Sequence, residues 1–286
     1  MARQTEIVST RKPRRYAPRG LAIGFCFVVA GGILFLAIFG PLLAPQDPNA
    51  QHLQDVLAGP SSQHWLGTDS LGRDVFSRTI VGAQLGVLGP LVIAVGSFAI
   101  GNLLGLWAGY RRGWVDSLVM RWVDLMWSVP TLLVLVVAAG AVGASYWLAV
   151  GLLVILSAPF DTRIIRGVVM EQVPRPYVEA ARTVGVSGRR IVFLHIWPNV
   201  APVAIANSFL VFASSLVALA GLSFLGLGAP PGTPDWGLML SESQAMLFVN
   251  PVATLAPALM IVVTATVANL IGDWFDEYLT SRMGAT

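Results

Sequence analysis

The feature that most limits this chain is a set of apolar runs too long and too free of charge to face water. Residues 21–43, 85–110, 200–227 and 247–271 contain no Asp, Glu, Lys or Arg. Residues 125–144 are apolar apart from the polar Ser128 and Thr131, and follow a helical lead-in expected from Ser117. Residues 146–160 form a shorter run, whose helix must continue past Asp161 towards Ile165. A helix crosses a bilayer core with about 20 apolar residues, because its backbone groups are then all bonded within the segment. Six spanning helices are the expectation. Membrane strands would alternate apolar with polar residues, and these runs do not. Only 12% of residues are charged, against about 25% in soluble domains. The fold class expected is all-α and polytopic.

The positions of Arg and Lys set the orientation. Arg3, Arg11, Lys12, Arg14, Arg15 and Arg19 precede the first run; Arg111 and Arg112 follow the second, with Arg121 entering the third. Arg163, Arg166, Arg175, Arg182, Arg189 and Arg190 follow the fourth run, and Arg282 lies in the tail. Arg73 and Arg78 fall on the other side. Positive residues favour the cytoplasmic face, so both termini are expected there, as an even number of spans requires. Trp107, Trp114, Trp147, Trp197 and Trp274 lie near the expected span ends, where amphipathic rings prefer to sit. The first run is too long for a secretory signal and has no A-x-A-like cleavage site after it. It is expected to remain a span. The basic tail is expected to rest on anionic lipid headgroups, and the charge of +3 is explained by this topology without a nucleic-acid partner. The expected organisation is a basic tail (1–20), a first span (21–43), an extracytoplasmic segment (44–84), a five-helix core (85–272) and a cytoplasmic tail (273–286).

Little in the chain suggests bond-making chemistry. The single cysteine, Cys26, excludes an intrachain disulfide and a Cys-based metal site. The EF-hand spacing is absent from the acidic residues around 64–78, so no metal site is expected. His52 and His64 are read as surface or packing residues. In the same segment Thr68, Asp69 or Ser70 is suited to cap a short helix, and Asp74 and Arg78 are spaced as an i,i+4 ion pair. A P-loop needs G-x-x-x-x-G-K-[ST], and the only lysine is Lys12; the chain is therefore not an ATPase.

Three segments remain as candidate working parts. Arg121 and Asp124 are three residues apart on one helical face and are expected to neutralise each other, with a gating role as the alternative. Pro130 is expected to kink the span that follows. The connection at 226–243 holds Pro230, Pro231 and Pro234, which stiffen it; it is read either as an ordinary rigid turn or as a gate element in which Trp236 and Met239 dip back towards the membrane. The third segment runs from Pro174 to Arg190. Pro176 suits the first turn of a helix, and Glu179 in that turn suits the helix dipole. Ala180 and Ala181 are read as keeping the surface slim, and Gly185 as ending the helix in the left-handed conformation. From these residues alone, a helix lying on the cytoplasmic membrane surface, with or without a partner, is expected near 176–188.

Glu179-Ala180-Ala181, then Gly185, His195 and Pro198-Asn199, resembles the EAA motif of ABC-importer permeases. The stretch 64–78 resembles the LGTDxLGRDVxSR segment of the dipeptide and oligopeptide permeases, in their C-type subunit. Gly109-Tyr110, Gly113-Trp114-Val115-Asp116, Met120-Arg121 and Asp124 are similar to that family's connection between its second and third spans. Ser223 to Gly228, with Pro231, Pro234 and Trp236-Gly237, is similar to its last external loop. Residues 159–162 depart from the pattern, where a Trp-Pro and an aromatic would stand, as do Pro174 and Pro176 around Arg175.

The resemblance implies a type I importer permease in a bacterial inner membrane. It implies that Glu179, Ala180, Ala181, Arg182, Gly185, Pro198 and Asn199 couple the chain to separate ATPases. It implies as partners a second, B-type permease, two ATPase subunits or domains holding ATP and Mg, and an external binding protein that delivers substrate. No cofactor is expected in this chain. Trp236, Met239, Arg73 and Asp74 are the candidates for an external gate or for contact with the binding protein. Di- and oligopeptides are the expected cargo; nickel complexes, glutathione and haem are the alternatives. A transporter driven by an ion gradient is the rival class. It would show acidic residues at mid-membrane and internal repeats, whereas Asp116, Asp124, Asp161 and Asp273 are read as lying near cytoplasmic ends.

Overall fold

The computed structural model describes residues 19–283. Within them the chain is helical, with no strand and one isolated bridge between Thr68 and Asp74. The long helices are α1 (Arg19–Leu43), α2 (Val75–Arg111), α3 (Gly113–Ser128), α4 (Thr131–Val142) and α5 (Tyr146–Gln172). Two short helices follow, α6 (Pro176–Thr183) and α7 (Gly188–Ile191). A π-type turn, Val192–Ile196, leads into α8 (Trp197–Phe224), then come α9 (Trp236–Glu242) and α10 (Pro251–Met283). Arg3, Arg11, Lys12, Arg14 and Arg15 lie outside the described residues, as do the side chains of Arg19 and Arg282.

Five helical stretches are long and apolar enough to cross a membrane, and α3 with α4 forms a sixth, bent by 76°. The bend sits at Val129 and Pro130. Val129 is extended, as the residue before a proline prefers, and Pro130 has no N–H to continue the helix. The six expected spans are present with corrected limits. The second starts at Val75 rather than at 85, and the helical lead-in to the third run starts at Gly113 rather than at Ser117. The fourth runs through Asp161 to Gln172. Charged residues cut the apolar runs short without ending the helices: Asp116 and Asp124 of α3 pair with Arg166 and Arg163 of α5, and Asp161 takes hydrogen bonds from Ser97 and Asn207.

The α2–α5 pair is the centre of the bundle. Gly101, Gly105 and Gly109 lie on one face of α2, four residues apart, against Asp161, Ile165 and Val169 of α5. A Cβ on Gly105 or Gly109 would lie 2.8 Å from the Cβ of Ile165 or Val169. Such stripes of small residues let helix backbones approach closely, which drives association where lipid offers no hydrophobic gain. The α8 helix lies against α2, α5 and α10, and α1 packs on α2 and α10. Cys26 is a buried free thiol packed with Val267 and Ile271.

The end of the bundle where α2 begins is closed by the segment between α1 and α2, together with α9. Asp74 caps α2, accepting from the Ser77 amide at 2.7 Å, and so does the capping expected of Thr68, Asp69 or Ser70. Asp69 instead holds the preceding turn, accepting from the amides of Leu71 and Arg73 at 2.9 Å. The other end, where α2 ends, carries α6 and α7.

Candidate functional site

The α6 helix is short because its sequence both starts and stops it. Pro176 occupies its first turn, and Arg175 before it is extended. At the other end Gly185 adopts φ +78°, with its amide bonded to the Arg182 carbonyl and the Val186 amide to the Ala181 carbonyl, each at 3.0 Å. This paired closure is the Schellman arrangement, which favours glycine because a Cβ is strained there. Nothing lies within 4 Å of where a Gly185 Cβ would project, so the position is open to an incoming surface.

The helix has two unlike faces. Val178 is fully buried and Ala181 nearly so, packed with Leu106, Ile165, Val169 and Ile196 of the bundle. Glu179, Ala180, Arg182 and Gly185 are exposed. Ala180 therefore keeps the outer surface slim as expected, while Ala181 does not: it turns inward, where its small size lets α6 sit close to α2, α5 and the start of α8. Arg182 stacks over Tyr110 at the end of α2, 5.5 Å from the ring centroid. Asn199, near the start of α8, donates to the His195 carbonyl at 2.8 Å and lies 3.4 Å from the Tyr177 hydroxyl. Burial pushes the Tyr177 phenol above its ordinary value. Asn199 thus holds α8 to α6, and Pro198 beside it is exposed. All seven residues with an expected coupling role gather on this one end of the bundle.

Two ion pairs brace the same end. Arg166 of α5 grips Asp116 of α3 with a two-point contact through its Nε and Nη2, the latter at 2.7 Å. Arg163 pairs with Asp124 and lies over Trp127 at 4.2 Å. The expected pairing of Arg121 with Asp124 is corrected: Asp124 takes Arg163 from the neighbouring helix, which the one-helix spacing rule could not see. Asp161 is also corrected. It is buried among α2, α5 and α8, not at a helix end.

The opposite end holds a buried ionic network. Arg73 donates to Asp69 and to Glu242, each at 2.6 Å, and Arg78 donates to Glu242 at 3.1 Å. Arg78 also reaches the carbonyls of Pro48 and Gly232 at 3.2 and 3.1 Å. His64 lies 3.0 Å from Asp74 through Nδ1 and is buried, so of its two readings, surface or packing, it is the packing residue, with Asp74 as its partner. The expected Asp74–Arg78 pair does not form, because Asp74 is spent on His64 and Ser77 while Arg78 turns to Glu242. Glu242 was not singled out from the sequence; its partners lie more than 160 residues away.

Trp236 opens α9 and does dip into the bundle. It is 1% exposed, and its ring faces Gly82 and Gly86 of α2. Met239 is buried beside it, and Arg73 and Asp74 are 2% exposed. As surface contacts for a binding protein these four residues are therefore corrected: they lie beneath the surface, Trp236, Met239 and Arg73 fixing α9 in place and Asp74 capping α2. Asp235 caps α9 by accepting from the Leu238 amide at 2.9 Å. Burial raises its carboxyl above the usual range, against hydrogen bonds that pull it down.

Residues 101–285 match the family described as the binding-protein-dependent transport system inner membrane component. Residues 20–60 match the N-terminal transmembrane domain of oligopeptide transport permease C. The chain belongs to the binding-protein-dependent, inner-membrane permeases of ABC importers. This permease is 38% identical to the glutathione transport system permease protein GsiD of Escherichia coli O6:K15:H31 over 88% of its own length and 83% of the relative's. It is 33% identical to the dipeptide transport system permease protein DppC of Alkalihalophilus pseudofirmus, over 90% of its length and 84% of that protein's. Its fold is similar to that of a chain in an inward-facing MetNI methionine ABC transporter, with a TM-score of 0.57, 17% identity, and coverage of 71% of this chain and 96% of that one.

Proposed function

We propose that this permease carries a dipeptide, oligopeptide or glutathione-like cargo inward, driven by separate ATPases that dock on the exposed face of α6. The observation that carries this reading is the division of α6 into two faces. Val178 and Ala181 seat the helix in the apolar cluster shared by Leu106 of α2, Ile165 and Val169 of α5 and Ile196 of the π-type turn, while Glu179, Ala180, Arg182 and Gly185 form the outer face. A push on that face passes into the spans through packed side chains and through the Tyr177–Asn199 contact.

The partners that fit are a second, B-type permease completing the path, two ATPase subunits or domains binding ATP and Mg, and an external binding protein. On this reading the α6 end faces the cytoplasm and the Arg73–Glu242 network faces outward, as the Arg-rich connections require. The cargo class is supported by the relatives, whose names cover dipeptide and glutathione transport. The Arg73–Arg78–Glu242 network and Trp236 are read as the fixed frame of the external gate.

The test is to co-express the complete transporter with Gly185→Leu, which strains a left-handed residue and adds bulk to the outer face. Loss of ATPase copurification and of uptake, with the permease still in the membrane, is expected. Normal values for both would overturn the reading. The ligand bound to the copurified external binding protein names the cargo.

A further inference from the structure

Asp161 is the most deeply placed carboxyl of the spanning helices, and its two partners come from two other helices. Ser97 of α2 donates to one carboxyl oxygen, and the Asn207 amide of α8 donates to the other. Asp161 is 4% exposed and Ser97 fully buried. Both partners are uncharged, and the nearby Arg163 and Arg166 of α5 are engaged with Asp124 and Asp116. The carboxyl is buried, so losing one of these hydrogen bonds leaves a buried polar group unsatisfied.

The position of this link in the chain gives it a consequence for transport. The helices α5 and α8 are the two arms that enter and leave the α6–α7 segment. A force applied to α6 reaches both arms, and its effect depends on whether they move together or slide past one another. Packing alone resists sliding weakly where the facing residues are small, and Gly101, opposite Asp161, presents no side chain. We propose that Asp161 is a positioning residue that pins α5 to α8 and to α2, so that motion delivered at α6 moves the three helices as one body and is spent on opening the path. The proposal rests on the reading of α6 as the ATPase-coupling helix.

The experiment uses the complete transporter in proteoliposomes and measures three quantities: ATPase retained on the complex, ATP hydrolysed, and cargo moved per ATP. Asp161→Val is expected to retain the ATPase and to hydrolyse ATP, while cargo per ATP falls by about tenfold, as leaving buried partners unsatisfied implies. Asn207→Val is expected to give a similar fall. The double variant is expected to be no worse than the poorer single one, because both break one link. Asp161→Asn is expected to restore at least about half of the ratio, since its amide accepts from Asn207 and donates to Ser97. A merely space-filling role would not distinguish Asn from Val in cargo per ATP. Ser97→Ala, which deletes only a hydroxyl, provides a variant that folds if Asp161→Val does not assemble, and it is expected to lower the ratio by a smaller amount. An unchanged ratio in Ser97→Ala and Asn207→Val, or additive losses in the double variant, would overturn the proposal. A wild-type complex that retains no ATPase would overturn the coupling reading and this one with it.

Discussion

The indole nitrogen of Trp236 donates to the carbonyl of Thr79 at 2.9 Å, bonding α9 to the first turns of α2 across 157 positions of sequence. The ring then lies on Gly82 and Gly86, where a Cβ would approach it to 2.9 and 2.6 Å. A bulky aromatic on one element and two absent side chains on the other form a single fitted joint. This joint holds α9 against the bundle. Trp236→Ala is expected to cost about 3–5 kcal/mol of stability through lost burial and the cavity left behind. Trp236→Phe keeps most of the ring and is expected to cost far less, about the net value of one hydrogen bond, roughly 1 kcal/mol. Gly86→Leu should disturb the same joint from the other side. Thermal unfolding of the detergent-solubilised permease checks all three, and equal losses for Trp236→Ala and Trp236→Phe would show that the ring is not the anchor.

The network around Glu242 makes a second prediction. Its carboxylate serves both Arg73 and Arg78, which are 2% and 1% exposed. Removing one member of a buried ionic cluster leaves the others uncompensated, which costs about 3–5 kcal/mol when burial is complete. Glu242 is itself 23% exposed at its side chain, so Glu242→Gln is expected to lie below that range. The expected outcome is faster proteolysis of the 226–243 connection in membrane vesicles, with Glu242→Asp nearer to wild type. Proteolysis at the wild-type rate in Glu242→Gln would show that Asp69 alone balances the two guanidiniums.

Asp235 predicts a pH dependence with a definite sign. Burial raises its carboxyl in the folded chain above its unfolded value. The folded state therefore holds the proton more tightly, and stability from this group is fully present below the usual carboxylate range near about 4. It is lost as pH rises through the higher folded value. Asp235→Asn keeps a capping oxygen for Leu238 and removes the titration. The unfolding midpoint of the wild type is expected to fall relative to that of Asp235→Asn as pH is raised from about 4. A difference that grows in the opposite sense would mean that the ionised cap is favoured by the α9 dipole more than burial opposes it.

Much of this architecture was legible in the chain, and the parts that were not share a cause. The six spans, the kink at Pro130 and the left-handed Gly185 follow from local composition and backbone chemistry, which act within a few residues. The helix limits at Val75 and Gly113 did not follow, because Arg78 and Asp116 read as interruptions until their partners Glu242 and Arg166 are known. Glu242 and Asp161 were missed or misplaced for the same reason: each is defined by residues far away in sequence. Ala181 marks the limit of motif reading. Its type matches an exposed coupling surface, yet its position on α6 turns it inward. Residues 159–162, which depart from the family pattern, carry Asp161, a buried carboxyl that links three helices.

The central claim is that the outer face of α6 receives a separate ATPase, and the two unlike faces allow it to be tested at single residues. A photo-cross-linking amino acid at Ala180, on the exposed face, is compared with one at Val178, which is fully buried. The complete transporter is illuminated in native membranes with and without ATP. The account predicts an adduct between permease and ATPase from position 180, changed in yield by ATP, and none from position 178. No adduct from position 180 in an actively transporting complex would contradict it.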